Sequence, residues 1–449
     1  MKLRYFFSVL FLSLSCASVP RLVPQPQAAG GFERTPVILI PGTTRSMLFN
    51  PERQDIVWGV LANFTGPART DELSLPIDST DLRENRDSLI PAGLLDHITI
   101  IPGLVEMQLY TRFLKTMKNH GYVIGDINHP RPGDNFFIFY YDWRRPFDEN
   151  ALRLAETVNR LKQMPGRENA KFDVIAHSSA VFLARYYALY GGRDLRSEKN
   201  PAPDYEGAKN IRKLILINPA HEGLLYVFRI LNEGFTPAKG PLFRRFTPQE
   251  LFTMPAFFGL LPRYDTQPFV DASGNVADLD LYDAGNWVRY GWSVFSPAQQ
   301  ALLESQMKRR FPLTWQEEMK SENEKRKRYL EAALAWAKFI QSAVSEKLHP
   351  LPAEVKTYVF ATEWGPTPER VCIMKEDKKL DFGDGKSCNA QLFSSGDNMV
   401  TSSSLRGHYT ENPPQYIFLK EQHRKIANNK KIHRHIIRIL WDSKEDGKS

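Results

Sequence analysis

The stretch Phe172-Asp173-Val174-Ile175-Ala176-His177-Ser178-Ser179-Ala180-Val181 decides how this chain is read. Apolar residues run straight into a serine flanked by small residues, and an amphipathic segment, Phe182 to Tyr190, follows at once. That order predicts a buried strand, a sharp turn with Ser178 at its apex, and a helix. A strained turn of this kind lifts a serine hydroxyl above the end of a parallel sheet. The usual pattern has glycine two residues either side of the serine. Here both places hold alanine, Ala176 and Ala180. Alone the pattern is weak, because a serine there also serves as a helix N-cap. The rest of the chain has to decide.

Working outward, Thr35-Pro36-Val37-Ile38-Leu39-Ile40-Pro41-Gly42-Thr43-Thr44 is a second apolar run, ending in a Pro-Gly break. An uninterrupted Val/Ile/Leu run suits a parallel strand covered on both faces. Leu109 to Val123 carries apolar residues at helical spacing, with Gly121 in a C-cap position. Asn135 to Arg144 reads as a strand ending in Tyr141-Asp142-Trp143-Arg144, and Leu152, Ala155, Val158 and Leu161 mark the next helix. Ile211 to Pro219 and Glu354 to Ala361 are further strands, and Tyr416 to Leu419 is a last short one. Strands alternating with helices in this way predict a mostly parallel, doubly wound α/β sheet.

From Leu224 to Pro350 the rhythm changes to aromatics, prolines and helical periodicity without a clear strand. We read residues 224–350 as a helical cap inserted between two parts of the core, 32–223 and 351–449. Glu317 to Lys347 would be its long helix. The apolar run Pro255 to Pro262 offers Phe257, Phe258 and Leu260 as lining for an acyl chain. Trp58 and His221 are further candidates for the pocket wall, against a competing reading in which these aromatics are ordinary core.

A serine hydroxyl becomes a useful nucleophile when a base takes its proton and a carboxylate fixes the base's tautomer. In the α/β-hydrolase fold the order is serine, acid, histidine. Here that order is Ser178, Asp397, His423. Asp397 sits in a Gly-Asp turn after a strand, and His423 lies between the last strand and the closing helix. The loop after the first strand and the residue after the nucleophile supply the oxyanion donors in such folds, which selects the backbone N–H groups of Thr43 and Ser179. His177, His221, His408, His433 and His435 are rival bases less well placed in the chain, and Asp381 and Asp384 are rival acids.

Composition bounds the rest. Of 449 residues 42% are hydrophobic and 24% charged, as in a globular protein with one large domain or two. The net charge of +8 is spread over clusters such as Lys325 to Arg328 and Lys430 to Arg438, with no nucleic-acid motif beside them. An anionic lipid surface fits such clusters as a partner; nucleic acid does not. Lys2 and Arg4 precede an apolar run too short to span a bilayer, so residues 1–18 read as an export signal. Leu14-Ser15-Cys16 resembles the end of a lipoprotein signal, with Cys16 acylated; Ser15 and Ala17 also fit ordinary signal cleavage. Residues 19–31 would then be a tether. Cys372 and Cys388 are expected to pair in an oxidising compartment, and no metal or cofactor is expected.

The chain resembles the lecithin:cholesterol acyltransferase and lysosomal phospholipase A2-like family of α/β-hydrolases. The resemblance is carried by Pro36 to Gly42, Asn119-His120-Gly121-Tyr122-Val123, Tyr141-Asp142-Trp143-Arg144, Ala176-His177-Ser178, Gly396-Asp397 and His423. It implies Ser178, Asp397 and His423 as the triad. It also implies an acyl-enzyme on Ser178, formed from a phospholipid or other lipid ester and released to water or an alcohol. Ser179-Ala180 and Asn218-Pro219-Ala220-His221 depart from the family pattern beside the site. The expectation is therefore a bacterial serine lipase, phospholipase or acyltransferase, exported and lipid-anchored or secreted. A general carboxylesterase and a non-catalytic lipid-binding surface protein are the rivals.

Overall fold

Seven strands form one sheet: Val37–Ile40 (β1), Ile124–Gly125 (β2), Phe136–Ile138 (β3), Phe172–His177 (β4), Ile211–Ile217 (β5), Lys356–Thr362 (β6) and Gln415–Leu419 (β7). Their order is β7-β6-β5-β4-β1-β3-β2 and every neighbouring pair is parallel. These relations come from a computed structural model, which describes residues 34–60, 72–101, 105–198, 201–236, 245–374, 378–383, 388 and 391–442. Residues 1–18, read above as an export signal with Cys16, residues 19–31, read as a tether, and Asp384 fall outside the described residues. All of β1 and β4 is buried, which is why both read as continuous apolar runs rather than alternating ones.

Two pairs of helices flank the sheet. Phe147–Lys162 (α1) packs on Ala180–Tyr190 (α2), with the Phe147 and Phe182 rings stacked at 4.9 Å. Every residue of α2 is buried, so the helix that follows Ser178 is held on all sides. Thr111–Asn119 lies beside the closing helix Lys430–Trp441 (α3), joined by Phe113 against His433 at 5.4 Å. Ile432, Ile436, Ile437 and Leu440 form the buried stripe of α3. The Lys213 ammonium at the start of β5 donates to the Ile439 and Asp442 carbonyls, where a helix C-terminus favours a cation.

The inserted region is fused to this core rather than standing apart: Thr35–Ser449 forms one compact unit. Its long helix, Trp315–Ala343 (α4), anchors through Trp336, whose indole N–H donates to Asp148 on α1 at 2.9 Å. Tyr190 on α2 donates to the Ala343 carbonyl at 2.9 Å. The region is not the all-helical cap expected from its sequence, because it contributes a strand. Phe269–Val270 pairs in parallel with Val371–Ile373, and that strand pairs with Leu380–Asp381, so a small sheet ties the insertion to the second part of the core. Cys372, on the middle strand of that sheet, is disulfide-bonded to Cys388. Among the described residues no helix is long and apolar enough to cross a membrane.

Candidate active site

Ser178 and His423 follow the carboxyl ends of strands in the seven-stranded sheet, where open α/β sheets bind ligands, and Asp397 follows Phe393–Gly396, a strand outside that sheet. Ser178 directly follows β4 with φ +57°, a left-handed conformation that a non-glycine residue adopts only where its surroundings impose it. The surroundings are visible: its N–H donates to the Ile217 carbonyl at 2.8 Å, and its Cβ faces Gly42. A Cβ on Gly42 would meet the His177 carbonyl at 3.2 Å and Ser178 Cβ at 3.3 Å. The Pro41-Gly42 break is thus a close approach between the loop after β1 and the serine turn. Gly42→Ala should slow acylation of Ser178 by about tenfold through displacement of that loop. The rate of covalent labelling by a fluorophosphonate checks this, with the unfolding midpoint measured alongside.

His423 and Asp397 complete a chain to the serine. Ser178 Oγ lies 3.0 Å from His423 Nε2, and His423 Nδ1 lies 2.6 Å from Asp397 Oδ2. Asp397 is fully buried and its carboxylate is saturated. Oδ1 accepts the Met399 and Val400 N–H groups at 3.0 and 2.8 Å, and Oδ2 also accepts Asn218 Nδ2 at 2.7 Å. A carboxylate held by this many donors is fixed in direction. It therefore keeps the proton of a neutral His423 on Nδ1 and leaves Nε2 to take the serine proton. The chain reaches Asp397 by a detour after β6: Gly365–Pro368 pairs with Phe393–Gly396, which returns the acid to the sheet edge.

The rival groups are engaged elsewhere. His408 pairs with Glu222 at 2.8 Å on the surface, and Asp381 accepts the Gly383 N–H. His433 is buried between Thr116 and the Ala427 carbonyl, and His435 lies half-buried on the closing helix. His177 stacks on the His423 ring at 5.9 Å, and its Nδ1 shares a 2.5 Å hydrogen bond with the Tyr110 hydroxyl. Burial, with His423 and Arg45 nearby, pushes its pKa well below the usual histidine range, so it stays neutral beside the base. Burial likewise pushes the Tyr110 hydroxyl up to about 12.

Both oxyanion candidates reach the serine turn, in a form that the backbone pattern alone does not reveal. The Thr43 N–H donates to the Ser179 hydroxyl at 3.0 Å, and the two hydroxyls are 2.7 Å apart. The motif Tyr141-Asp142-Trp143-Arg144 explains why the loop stays in place. Tyr141 donates to the Pro41 carbonyl at 3.0 Å, Trp143 to the Ser46 carbonyl at 3.2 Å, and Arg144 is clamped by Asp142 and Asp87.

The residues expected to line an acyl pocket have other roles. Trp58 is buried edge-on to Trp143 and Phe246 and donates to the Thr44 carbonyl at 2.9 Å, so it braces the loop after β1. Phe258 is wholly buried among Phe252, Trp287 and Tyr329, and Phe257 and Leu260 are buried in the hydrophobic core that the insertion shares with the sheet. His221 is buried against Glu346, with its Nε2 3.2 Å from the Tyr409 hydroxyl. Arg185 reaches the same carboxylate at 3.4 Å.

Because His221 precedes the insertion and Glu346 closes it, this pair clasps its neck. Burial alone would raise the Glu346 carboxyl, yet His221 and Arg185 hold it down at about 2. Its folded value lies below its ordinary one of 4.5, so the stability it contributes is full above about pH 4.5 and lost as pH falls toward 2. Glu346→Gln should therefore destabilise the protein by about 3 kcal/mol at neutral pH and flatten its loss of stability over that acid window. Denaturant unfolding at several pH values measures both.

No family model matches the sequence, and no curated protein matches it. Among solved structures, a chain of the Tle4-Tli4 complex aligns over 90% of this chain and 98% of its own, with a TM-score of 0.54 at 12% identity. Phospholipase PlaB from Legionella pneumophila, 17% identical, aligns over 35% of this chain and 30% of its own with a TM-score of 0.23. The second likeness is too partial to bear on the fold. The first, together with the seven-stranded parallel sheet, shows an α/β-hydrolase fold.

Proposed function

We propose that the protein is a serine hydrolase of lipid esters that works through an acyl-enzyme on Ser178. The observation that carries the reading is the continuous hydrogen-bonded line from Ser178 through His423 to the buried Asp397. In that line His423 takes the Ser178 proton as Oγ attacks the ester carbonyl, then passes it to the departing alcohol. Water or an acceptor alcohol, deprotonated by the same imidazole, releases the acyl group. The Ser179 N–H and the Thr43 N–H are the donors for the developing oxyanion, each worth about 100- to 1000-fold in rate in comparable sites.

The lipid half of the reading is supported by the motif resemblance to the lecithin:cholesterol acyltransferase and lysosomal phospholipase family. We extend it to an exported protein held at, or released from, a bacterial envelope. A strained serine turn retained with its whole triad weighs against a non-catalytic protein. The test is a comparison of long-chain phospholipid with a soluble short-chain ester, after active sites are counted with a fluorophosphonate. Preference for the aggregated long-chain substrate is the expected result. Labelling without any long-chain turnover would reduce the reading to a general carboxylesterase.

A further inference from the structure

The positive charge of the chain is concentrated on one flank. Helix Thr111–Asn119, the turn His423–Asn428 and α3 hold nine of the 59 Lys and Arg residues and no Asp or Glu. The other 50 are outnumbered by the 51 acids, so this flank accounts for the whole net charge of +8. The three elements share one surface. Phe113 and His433 meet at 5.4 Å, His120 and Trp441 at 5.5 Å, and the Arg112 N–H donates to the Asn428 side chain at 3.3 Å. Those contacts advance together along both segments, so the two helices lie side by side and run the same way. Lys115, Lys118, Lys430, Lys431, Arg434 and Arg438 are all exposed on them and have no ion pair among the described residues.

Helix stability does not ask for this pattern. Lys430, Arg434 and Arg438 stand at i, i+4 and i+8, where like charges repel along one face. Lys430 and Lys431 occupy the first turn of α3, the end that favours anions, and no acid accompanies them there. Elsewhere the surface mixes the signs, as in Arg193 with Glu198 and Asp204, or Arg196 with Asp81 and Asp194. A counter-charge supplied from outside the chain would relieve the repulsion. The flank also offers an apolar contact. Trp441 is 49% exposed and, with His120, Arg434, Ile437, Arg438 and Asp442, walls an open groove between the helices. Indole rings settle at the level of lipid head groups, where lysine and arginine reach anionic phosphates. Both helices also begin beside the catalytic candidates. Tyr110 stands directly before the first, with its hydroxyl 2.5 Å from His177 Nδ1, and His423 opens the turn that leads to α3.

We propose that this flank docks the protein on an anionic lipid surface and so brings Ser178 and His423 to the substrate. The partner is the surface as a whole, not the molecule being cleaved. Docking needs no catalysis; only its link to turnover rests on the lipid-ester reading above. The first measurement is sedimentation of the full-length Ser178→Ala protein with vesicles of phosphatidylcholine, alone or with about one-third phosphatidylglycerol. Each cation held near such a surface strengthens binding about fivefold, so adding Lys431→Gln, Arg434→Gln and Arg438→Gln together should weaken binding to the anionic vesicles about 100-fold. The preference for anionic vesicles should vanish in about 1 M salt, where charges are screened within about 3 Å. Arg309→Gln, Lys320→Gln and Arg328→Gln remove as much charge from exposed places on the insertion and should change binding less than about threefold. With Ser178 restored, the flank variant should turn over the mixed vesicles about 10- to 100-fold more slowly and a soluble short-chain ester within about twofold of the wild type. Its unfolding midpoint should match or exceed the wild-type value, because repulsion has been removed.

Equal binding to neutral and anionic vesicles, or equal losses in the two triple variants, overturns the proposal. A larger loss in the insertion variant moves docking to the insertion and does the same. A midpoint lowered by several degrees in the flank variant would make those cations structural groups, and the proposal falls with that result too. Tighter binding to a short DNA duplex than to anionic vesicles at matched salt would make the partner a nucleic acid and overturn the lipid assignment. Weakened binding with unchanged turnover of vesicles would overturn the link from docking to catalysis. Flank-dependent binding of vesicles by a protein that cleaves no ester would keep the docking surface and remove the hydrolase reading instead.

Discussion

Ser178→Ala is expected to lower kcat on a lipid ester by about a million-fold, the loss that follows when a serine nucleophile is removed from an intact triad. Covalent labelling by a fluorophosphonate should vanish with it. The Ser178→Gly variant adds a second reading. Ser178 is held at φ +57°, where a side chain costs about 1 kcal/mol and glycine very little. Ser178→Gly should therefore be as inactive as Ser178→Ala but more stable than the wild type by about that amount in denaturant unfolding. A stabilised, inactive variant is the sign of strain kept for chemistry. If Ser178→Gly instead lost stability, the turn would be held for packing, and the argument from strain would fail.

Ser178 was legible because it stands directly after a buried parallel strand, whereas Asp397 and His423 follow partly exposed strands and were picked out by their order in the chain. Ser178 follows β4 at once, and His423 falls between β7 and the closing helix. What could not be read is whatever depends on approach between distant parts of the chain. Asn218 reads as the residue after a strand, and only the fold brings its amide to Asp397, 179 positions away. Tyr110 meets His177 across 67 residues, and Glu346 meets His221 across 125.

The aromatic residues misled for a related reason. A Phe-Phe pair in an apolar run looks the same whether it faces a ligand or other rings, and Phe258 faces rings. The hairpin of Ser46–Asn50 and Asp55–Trp58 was missed because it is short and broken by the polar turn Pro51 to Gln54. Ser179, noticed as a departure from the family pattern, acquires a physical role only once its hydroxyl is seen on Thr43.

Asp397→Asn is the more discriminating of the large effects, because it keeps the shape and changes only the donors. The carboxylate accepts four hydrogen bonds, from Met399, Val400, Asn218 and His423. An amide has one oxygen to offer and presents an NH2 group to the other pair. If that group faces the two backbone N–H groups, donors meet donors in a fully buried place, at a cost of about 1–3 kcal/mol. If it faces His423, Nδ1 must become an acceptor, the ring proton moves to Nε2, and the base can no longer accept from Ser178. Either way kcat should fall about 10,000-fold, with a stability loss of the size above. Asn218→Ala removes a single donor and leaves the other three hydrogen bonds to the carboxylate in place, so its loss in kcat should be far smaller. Asp397→Asn retaining more than about a tenth of the activity would mean that His423 is oriented without it, since a wrong tautomer in such a triad is not tolerated.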